Sequence, residues 1–372
     1  MFFPDAAMNL SDLSKGRDNN FNLIRIAAAY AVLVTHSFAL ALGTGDAEPL
    51  RHTLGMTLGS IAVDVFFLTS GFLVTASLLT KQDSLDFVVA RVLRIFPGLL
   101  VMLLLSVFVV GLGFTTLPWQ NYLTDPHTYK YFAKCLTLVR GVDFELPGVF
   151  TGNPYRNAVN GSLWTLPHEV AMYLILVVAW LALFPVQRHR TRTFRLLLIL
   201  STLVSGARVL AGHYGLMDEA TPFPRLLFMF FTGAAIFVLR EHIQLARPVF
   251  LAALAAVVAT GLQGGLFFPA YLLCLPYILF YMAYVPSGRI RNYNRMGDYS
   301  YGMYIYAFPV QQSVAALIPQ ISVPGMLAAS TIVTTLLAAL SWHVVEQPAM
   351  GLKSAVLSAV RDLISLRRRL PR

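Results

Sequence analysis

The sequence predicts an all-α fold, a polytopic membrane bundle of about ten transmembrane helices. Hydrophobic residues fill 57% of the 372 positions and give a mean hydropathy of +0.65. Charged residues fill only 12%, about half the fraction of a soluble domain. The apolar residues also come in blocks of roughly twenty, the length that crosses about 30 Å of hydrocarbon as a helix.

Ten such blocks follow one another along the chain. They predict one transmembrane domain, residues 22–350, between a cytoplasmic N-terminal segment, 1–21, and a basic cytoplasmic tail, 351–372. The predicted spans are 22–42, 57–79, 95–114, 165–184, 194–210, 224–240, 248–264, 267–284, 299–318 and 323–344.

The positive charges fix an orientation for these spans. If the N-terminus is cytoplasmic, 20 Lys and Arg residues fall in inner segments and five in outer ones. Basic residues prefer cytoplasmic loops, so both termini are predicted to be cytoplasmic. The net charge of +10 then reflects topology and attraction to anionic lipid, and we expect the bilayer rather than nucleic acid as partner.

The first span carries two ionisable side chains, Arg25 and His36. Eleven helical residues turn about 1100° and rise about 16 Å, so the two share one face at different depths. Arg25 lies near the cytoplasmic edge and His36 towards the outer half. Arg25 could simply extend its side chain to the inner interface, and a lone His is often a packing residue. Ionisable groups in a membrane are nevertheless functional candidates, because a charge facing lipid is costly.

The second span runs from outside to inside and carries Asp64 about seven residues below the outer surface. This count places Asp64 close in depth to His36. A carboxylate there could orient the imidazole of a general base, or form a purely structural hydrogen bond with it.

Residues 84–97, SLDFVVARVLRIFP, predict a short interfacial or re-entrant helix that ends at Pro97 and leads into the third span. Within it, Arg91 and Arg94 are three residues apart and lie on one helix face. Two guanidinium groups so placed suit phosphate binding, although they could equally be inner-face anchors.

The outer segment 115–164 is polar, aromatic and rich in Pro and Gly. A loop of this length is usually functional or covers another part of the protein, and a surface decoration is the alternative. Cys135 lies in this segment and Cys274 within a span, so no disulfide is expected.

The fourth span starts in NGSLWTLPHE, where Trp164 fits the outer aromatic belt. Glu169 could join His36 and Asp64, bind an acceptor, or only favour the helix N-terminus. Arg208 and Arg225 lie near the outer ends of the next two spans. They could bind a phosphate or a carboxylate, or they could be ordinary interface residues.

Six sequence motifs, taken in their order along the chain, resemble those of a known family. They are the Arg-x10-His first helix, VDVFFLTSGFLVTASLL, ARVLRIFP, NGSLWTLPHEVAMYL, MGDYSYGMYIYAFPV and WHVVEQP. Over residues 18–350 the chain resembles the acyltransferase-3 family of integral membrane acyltransferases, which includes O-acetyltransferases of O-antigen and exopolysaccharide.

The resemblance implies transfer of an acyl group, usually acetyl from cytoplasmic acetyl-CoA, to a hydroxyl of a glycan or glycolipid. It implies His36 as catalytic base, Arg25 as its partner in the motif, and Arg91 with Arg94 as CoA-phosphate contacts. Glu169 matches the family's acidic residue after the Trp. No metal is expected, and the location implied is a bacterial cytoplasmic (inner) membrane. The acceptor and cavity residues that we predict are Trp164, Arg208, Tyr301, Tyr304 and Glu346.

One position departs from the family pattern. Many members carry His where Ala307 stands, so any role of that His is absent here or passed to Tyr304 or Tyr306. A transporter or flippase remains the main alternative, because ionisable groups along a bundle also mark transport paths. A structural subunit of an export assembly is a third interpretation.

Overall fold

The computed structural model describes residues 7–16, 18–218 and 221–369, and every predicted span lies on a helix. Within these residues, seven helical stretches are long and apolar enough to cross a membrane. Two shorter apolar helices, Phe223–Leu239 and Arg247–Gln263, and the buried helix Ser300–Leu317 account for the other predicted spans. The prediction of an all-α polytopic membrane bundle is therefore confirmed.

The helices and the two short strands follow in this order. They are β1 Met8–Asn9, α1 Leu10–Leu13, α2 Phe21–Leu42, α3 Pro49–Leu54, α4 Leu58–Lys81, α5 Ser84–Phe114, α6 Trp119–Thr124, α7 Pro126–Thr137, α8 Leu166–Ala182, α9 Arg190–His213, α10 Phe223–Leu239, β2 Gln244–Leu245, α11 Arg247–Gln263, α12 Phe267–Tyr284, α13 Ser300–Leu317, α14 Val323–Ser341, α15 Gln347–Gly351 and α16 Lys353–Arg369.

Both described ends of the chain lie at the end of the bundle where α2 and α5 begin. There β1 pairs antiparallel with β2, and Lys353 of α16 forms an ion pair with Asp86 of α5 at 2.7 Å. We call this the inner end, and the charge pattern predicts that it faces the cytoplasm. Part of the predicted N-terminal segment and basic tail, namely residues 1–6, Arg17, residues 370–372 and the side chains of 367–369, lies outside the described residues.

The predicted helix break at Pro97 is wrong. Residues 84–114 form one helix, α5, with Pro97 inside it and a π-helical stretch at Ser106–Gly111. Proline removes one backbone donor, but in a membrane the flanking residues keep their hydrogen bonds within the helix rather than leave them open. Arg91 and Arg94 are therefore carried on a transmembrane helix, near its inner end.

Helix α4 lies in the centre of the bundle between α2 and α10. Its approach to α10 depends on two glycines: a Cβ at Gly71 would lie 1.9 Å from the carbonyl oxygen of Phe230, and one at Gly233 would lie 2.0 Å from that of Leu68. On the other side, Thr35 Oγ1 of α2 accepts a hydrogen bond of 2.7 Å from the amide of Gly59. This bond fixes the antiparallel register of α2 and α4.

The outer segment packs onto the outer end of α13. Asn153 donates to the side-chain oxygen of Gln312 at 2.7 Å, and Gln312 donates to the carbonyls of Tyr155 and Ala158 at 2.8 and 2.6 Å. All three bonds are buried or partly buried, so residues 153–158 are held against the bundle.

Candidate active site

A cavity of about 380 Å³ opens among α2, α5, α8 and the start of α13 at the inner end. Its lining is unusual for a membrane bundle because it is rich in charge. The charged and aromatic lining residues are Arg25, Arg91, Arg94, Lys353, Glu169, Asp298, Tyr173, Tyr301 and Trp342. We call it the inner cavity.

Arg94 is already neutralised by two carboxylates. Its guanidinium donates to Asp298 at 2.5 Å and to Glu346 at 3.2 Å, and the side chain is only 14% exposed. The rings of Tyr301 and Trp342 lie 5.8 and 5.4 Å from its guanidinium carbon. Arg94 is thus a structural cation that holds α5, α13 and the segment after α14 together.

Asp298 lies in the turn before α13. Burial alone would raise its pKa, but the charges of Arg94 and Arg25 and hydrogen bonds from Ser300 outweigh burial and lower the pKa from 3.8 to about 2. The carboxylate therefore stays ionised over the whole physiological pH range.

Arg91 differs from Arg94 although both lie on one face of α5. Among the described residues it has no carboxylate partner, and its buried Nε has no hydrogen-bond partner. The nearest aromatic group is the Tyr173 ring, 5.9 Å from the guanidinium carbon. Of the predicted pair of phosphate contacts, Arg94 has two carboxylate partners and Arg91 has none among the described residues.

Arg25 lies where the inner cavity meets a second one. Its Nε donates to Ser300 Oγ at 3.4 Å and lies 3.9 Å from Asp298, a loose ion pair. The second cavity, of about 40 Å³, continues between α2, α4, α8 and α13, and we call it the narrow cavity. The two linings share Arg25, Glu169 and Tyr301, so the cavities are adjacent.

Glu169 does not join His36. Its carboxylate accepts hydrogen bonds from Tyr173, one turn further along α8, and from Ser70 of α4 at 3.4 Å. Ser70 and Tyr173 hydroxyls are 2.7 Å apart. Gly59 lies at the depth of Thr35, and Ser70 is eleven residues further inward along α4. This places the cluster level with Arg25, well below His36.

Asp64 does not pair with His36 either, which corrects the predicted His36–Asp64 pair. Asp64 is fully buried, accepts a hydrogen bond of 2.8 Å from Tyr271 and lies 3.3 Å from Arg225 Nε. Thr35 of α2 and Gly59 of α4 lie at the same depth. Asp64 is five residues further inward along α4 and His36 is one residue further outward along α2, so Asp64 lies about 9 Å below His36.

His36 lies at the outer end of this face, half-buried under the outer segment. Its Nδ1 is buried and has no hydrogen-bond partner within the described part of the chain. Its ring meets the edge of Phe308, with 5.1 Å between centroids and 78° between planes. Among the described residues the imidazole therefore has no carboxylate partner.

Two predicted tyrosines line the cavities. Tyr301 is common to both cavities and donates to the carbonyl of Ile95 at 2.8 Å. Tyr304 lines the narrow cavity and is bonded to Thr165 at 2.7 Å and to the carbonyl of Ser162 at 2.8 Å.

The other predicted acceptor residues lie elsewhere. Trp164 packs against His168, and Arg208 donates to the carbonyl of Asp218 in the loop after α9. Glu346 is completely buried with Arg94 and Ser341, so it is unavailable to an acceptor. Ala307 is 1% exposed and packs in an apolar cluster, so no polar group replaces the family's usual His at that position.

Sequence reasoning missed Asp298, Ser70, Tyr173 and Phe308. The i, i+4 spacing of Glu169 and Tyr173 could have revealed one hydrogen-bonded pair on a helix face. Asp298 and Phe308 gave no such signal, because their partners are far away in the sequence. Within the described residues, no group of three or more His, Cys, Asp or Glu side chains could hold a metal ion.

The sequence is similar to those of known acyltransferases. Residues 18–343 match the model of an acyltransferase domain. An O-acetyl transferase of Shigella phage Sf6 is 28% identical over 353 residues, covering 92% of this chain and 99% of that protein. Nodulation protein 10 of Rhizobium leguminosarum bv. viciae is 30% identical over 374 residues, covering 93% and 96%. No solved structure gives a significant match.

Proposed function

Since this chain belongs to the acyltransferase-3 family and is an O-acyltransferase, we propose that it takes acetyl from cytoplasmic acetyl-CoA and transfers it to a surface glycan or lipid-linked saccharide. The site would lie in a bacterial cytoplasmic membrane, with the donor entering from the inner end. The single observation that carries this proposal is an unpaired cation, Arg91, in a cavity that adjoins the narrow cavity below His36.

Acetyl-CoA carries phosphates at one end and the thioester at the other. Among the described cations of the inner cavity, Arg91 has no carboxylate partner and is the best placed to receive a phosphate. Arg94 is occupied by two carboxylates, Lys353 is paired with Asp86, and Arg25 is loosely paired with Asp298. The donor arm would then pass Arg25 and Tyr301 into the narrow cavity, which must widen to admit it.

One face of α13 continues this path outwards. Tyr301, Tyr304 and Phe308 are separated by three and four residues and therefore lie one above another. Tyr304 lines the narrow cavity and Phe308 touches His36. The path from Arg25 to His36 is about 16 Å along α2.

His36 supplies the base in this proposal. A neutral imidazole takes the proton of an acceptor hydroxyl as the oxygen attacks the thioester carbon. The new C–O bond forms, the C–S bond breaks, and the imidazolium returns the proton to the departing thiolate. Arg25, too far from His36 for contact, would hold the donor at the inner end.

The acceptor is proposed to approach from the outer end. The outer segment carries a polar cavity of about 560 Å³ whose lining includes Lys130, Glu145 and Asn157. Charged and amide groups of this kind can exchange hydrogen bonds with the hydroxyls of a saccharide. The name of the phage relative, O-acetyl transferase, agrees with transfer to an oxygen.

Proteoliposomes containing the purified protein test the proposal. With acetyl-CoA on the inner side, free thiol should appear at a rate that rises when a saccharide acceptor is added on the other side. The acceptor should gain acetyl, seen by mass spectrometry. A transporter or a structural subunit would release no thiol, and that result would reject the proposal.

Replacement of Arg91 by alanine is expected to raise the KM for acetyl-CoA about tenfold and to leave kcat nearly unchanged. A hydrogen bond to a charged group contributes about 1.5–3 kcal/mol, and Arg91 would bind the donor far from the reacting atoms. The matched control is Arg192→Ala, which removes an exposed inner charge outside the cavity lining. Equal KM values for Arg91→Ala and wild type would exclude Arg91 from donor binding.

A further inference from the structure

The environment of His36 is dominated by one aromatic side chain. Phe308 is 4% exposed and meets the imidazole edge to face at 5.1 Å. It belongs to α13, one turn beyond Tyr304, so it lies between the narrow cavity and His36. A group that reaches His36 along this face has to pass or displace the Phe308 ring.

The ring has little room to move away. The ring of Tyr155 in the outer segment packs against the Phe308 ring, with 6.2 Å between their centroids. A Cβ at Gly161 would lie 2.6 Å from Cε2 of Phe308. Gly161 therefore lies directly against the ring, and any larger residue would displace the ring. Residues 153–158, which include Tyr155, are themselves held by Gln312.

We propose that Phe308 determines which acyl group is transferred, by leaving room beside His36 for acetyl and excluding longer chains. This inference rests on the proposed function. In the transition state the acyl carbon is bonded to the acceptor oxygen whose proton His36 takes. The acyl substituent must then lie within a few ångströms of the imidazole, where the Phe308 ring packs against His36.

Phe308 suits this role better than its neighbours. Tyr304 is fixed by hydrogen bonds to Thr165 and Ser162, so its position is set by the fold. Among the described residues Phe308 packs against apolar and aromatic side chains, so its size can change without leaving a polar group unpartnered. Discrimination between chains that differ by one methylene amounts to about ten- to two-hundredfold in a hydrophobic pocket.

The test is a competition between acetyl-CoA and butyryl-CoA for one acceptor in proteoliposomes. Wild type is expected to favour acetyl. In Phe308→Leu and Phe308→Ala the ratio of kcat/KM for butyryl over acetyl should rise at least about tenfold, more for alanine. The control is Phe280→Leu, which truncates an equally buried ring packed on Phe21 and Phe72 and should leave the ratio unchanged.

Three outcomes would overturn the inference. They are a wild type that uses butyryl-CoA as well as acetyl-CoA, an unchanged ratio in the Phe308 variants, and a Phe308→Leu variant that loses acetyl transfer without gaining butyryl transfer. In each case transfer by wild type would leave the proposed function standing. A wild type that uses neither donor would instead reject the proposed function itself.

Discussion

Replacement of His36 by alanine is expected to lower acetyl transfer by about a hundred- to ten-thousandfold, the usual contribution of a general base. His36 is half-buried with an unpartnered Nδ1 and no carboxylate beside it. Truncation leaves no neighbouring group to take the proton, because Asp64 and Glu169 are held at deeper levels by other partners. KM for acetyl-CoA should change little, since the donor phosphates would bind at the inner end.

The measurement is acceptor-dependent acetyl transfer by variants that insert and purify like wild type. His168→Ala is the matched control, because His168 is also a partly buried imidazole near the outer end and its ring packs against Trp164 and Phe223. We expect near wild-type rates for it. A His36→Ala variant that keeps more than about a tenth of the activity would exclude a base role, since even a weak general base contributes about a hundredfold.

Much of the fold could be read from the sequence because the bilayer restricts the choices. A span must be about twenty residues long and apolar, and its backbone must form a helix. The ten predicted positions follow from those conditions alone. The helix end predicted at Pro97 was wrong because proline usually ends helices in water, whereas α5 continues through Pro97 in an apolar environment.

The site was only partly predictable, because depth along one helix does not fix depth relative to its neighbour. The shared face of Arg25 and His36 follows from helix geometry within α2. The level of Asp64 was counted from the outer end of its own span. The bond between Thr35 and Gly59 shows that α2 continues about six residues beyond the start of α4, so equal counts gave unequal depths.

That Arg94 has carboxylate partners and Arg91 has none could not be predicted from the sequence. Local sequence makes them equivalent, since both are arginines on one face of α5. Their difference comes from Asp298 and Glu346, which follow Arg94 by 204 and 252 residues. Only the tertiary packing of α13 and the π-helical turn Trp342–Glu346 brings these carboxylates to it.

Arg94→Ala is therefore expected to destabilise the protein by about 3–5 kcal/mol, the cost of breaking a buried ion pair from one side. The substitution leaves Glu346 completely buried and Asp298 nearly so, both without their strongest partner. We expect a lower Tm in detergent and less purified protein. Arg91→Ala, which removes an unpaired arginine one turn away, is the control and should keep the wild-type Tm.

The same variant separates the two roles that the sequence left open for Arg94. A phosphate contact would show as a raised KM at wild-type Tm, whereas a structural cation shows as a lower Tm that Glu346→Gln with Asp298→Asn partly restores. The pKa of Asp298 is lowered to about 2, so its contribution is complete above about pH 4 and is lost as pH falls towards 2. Between pH 5 and 8 the Tm of wild type should therefore owe nothing to titration of Asp298, whereas Arg94→Ala removes the main charge that lowers this pKa. A raised KM with unchanged Tm would instead assign Arg94 to the donor phosphates beside Arg91.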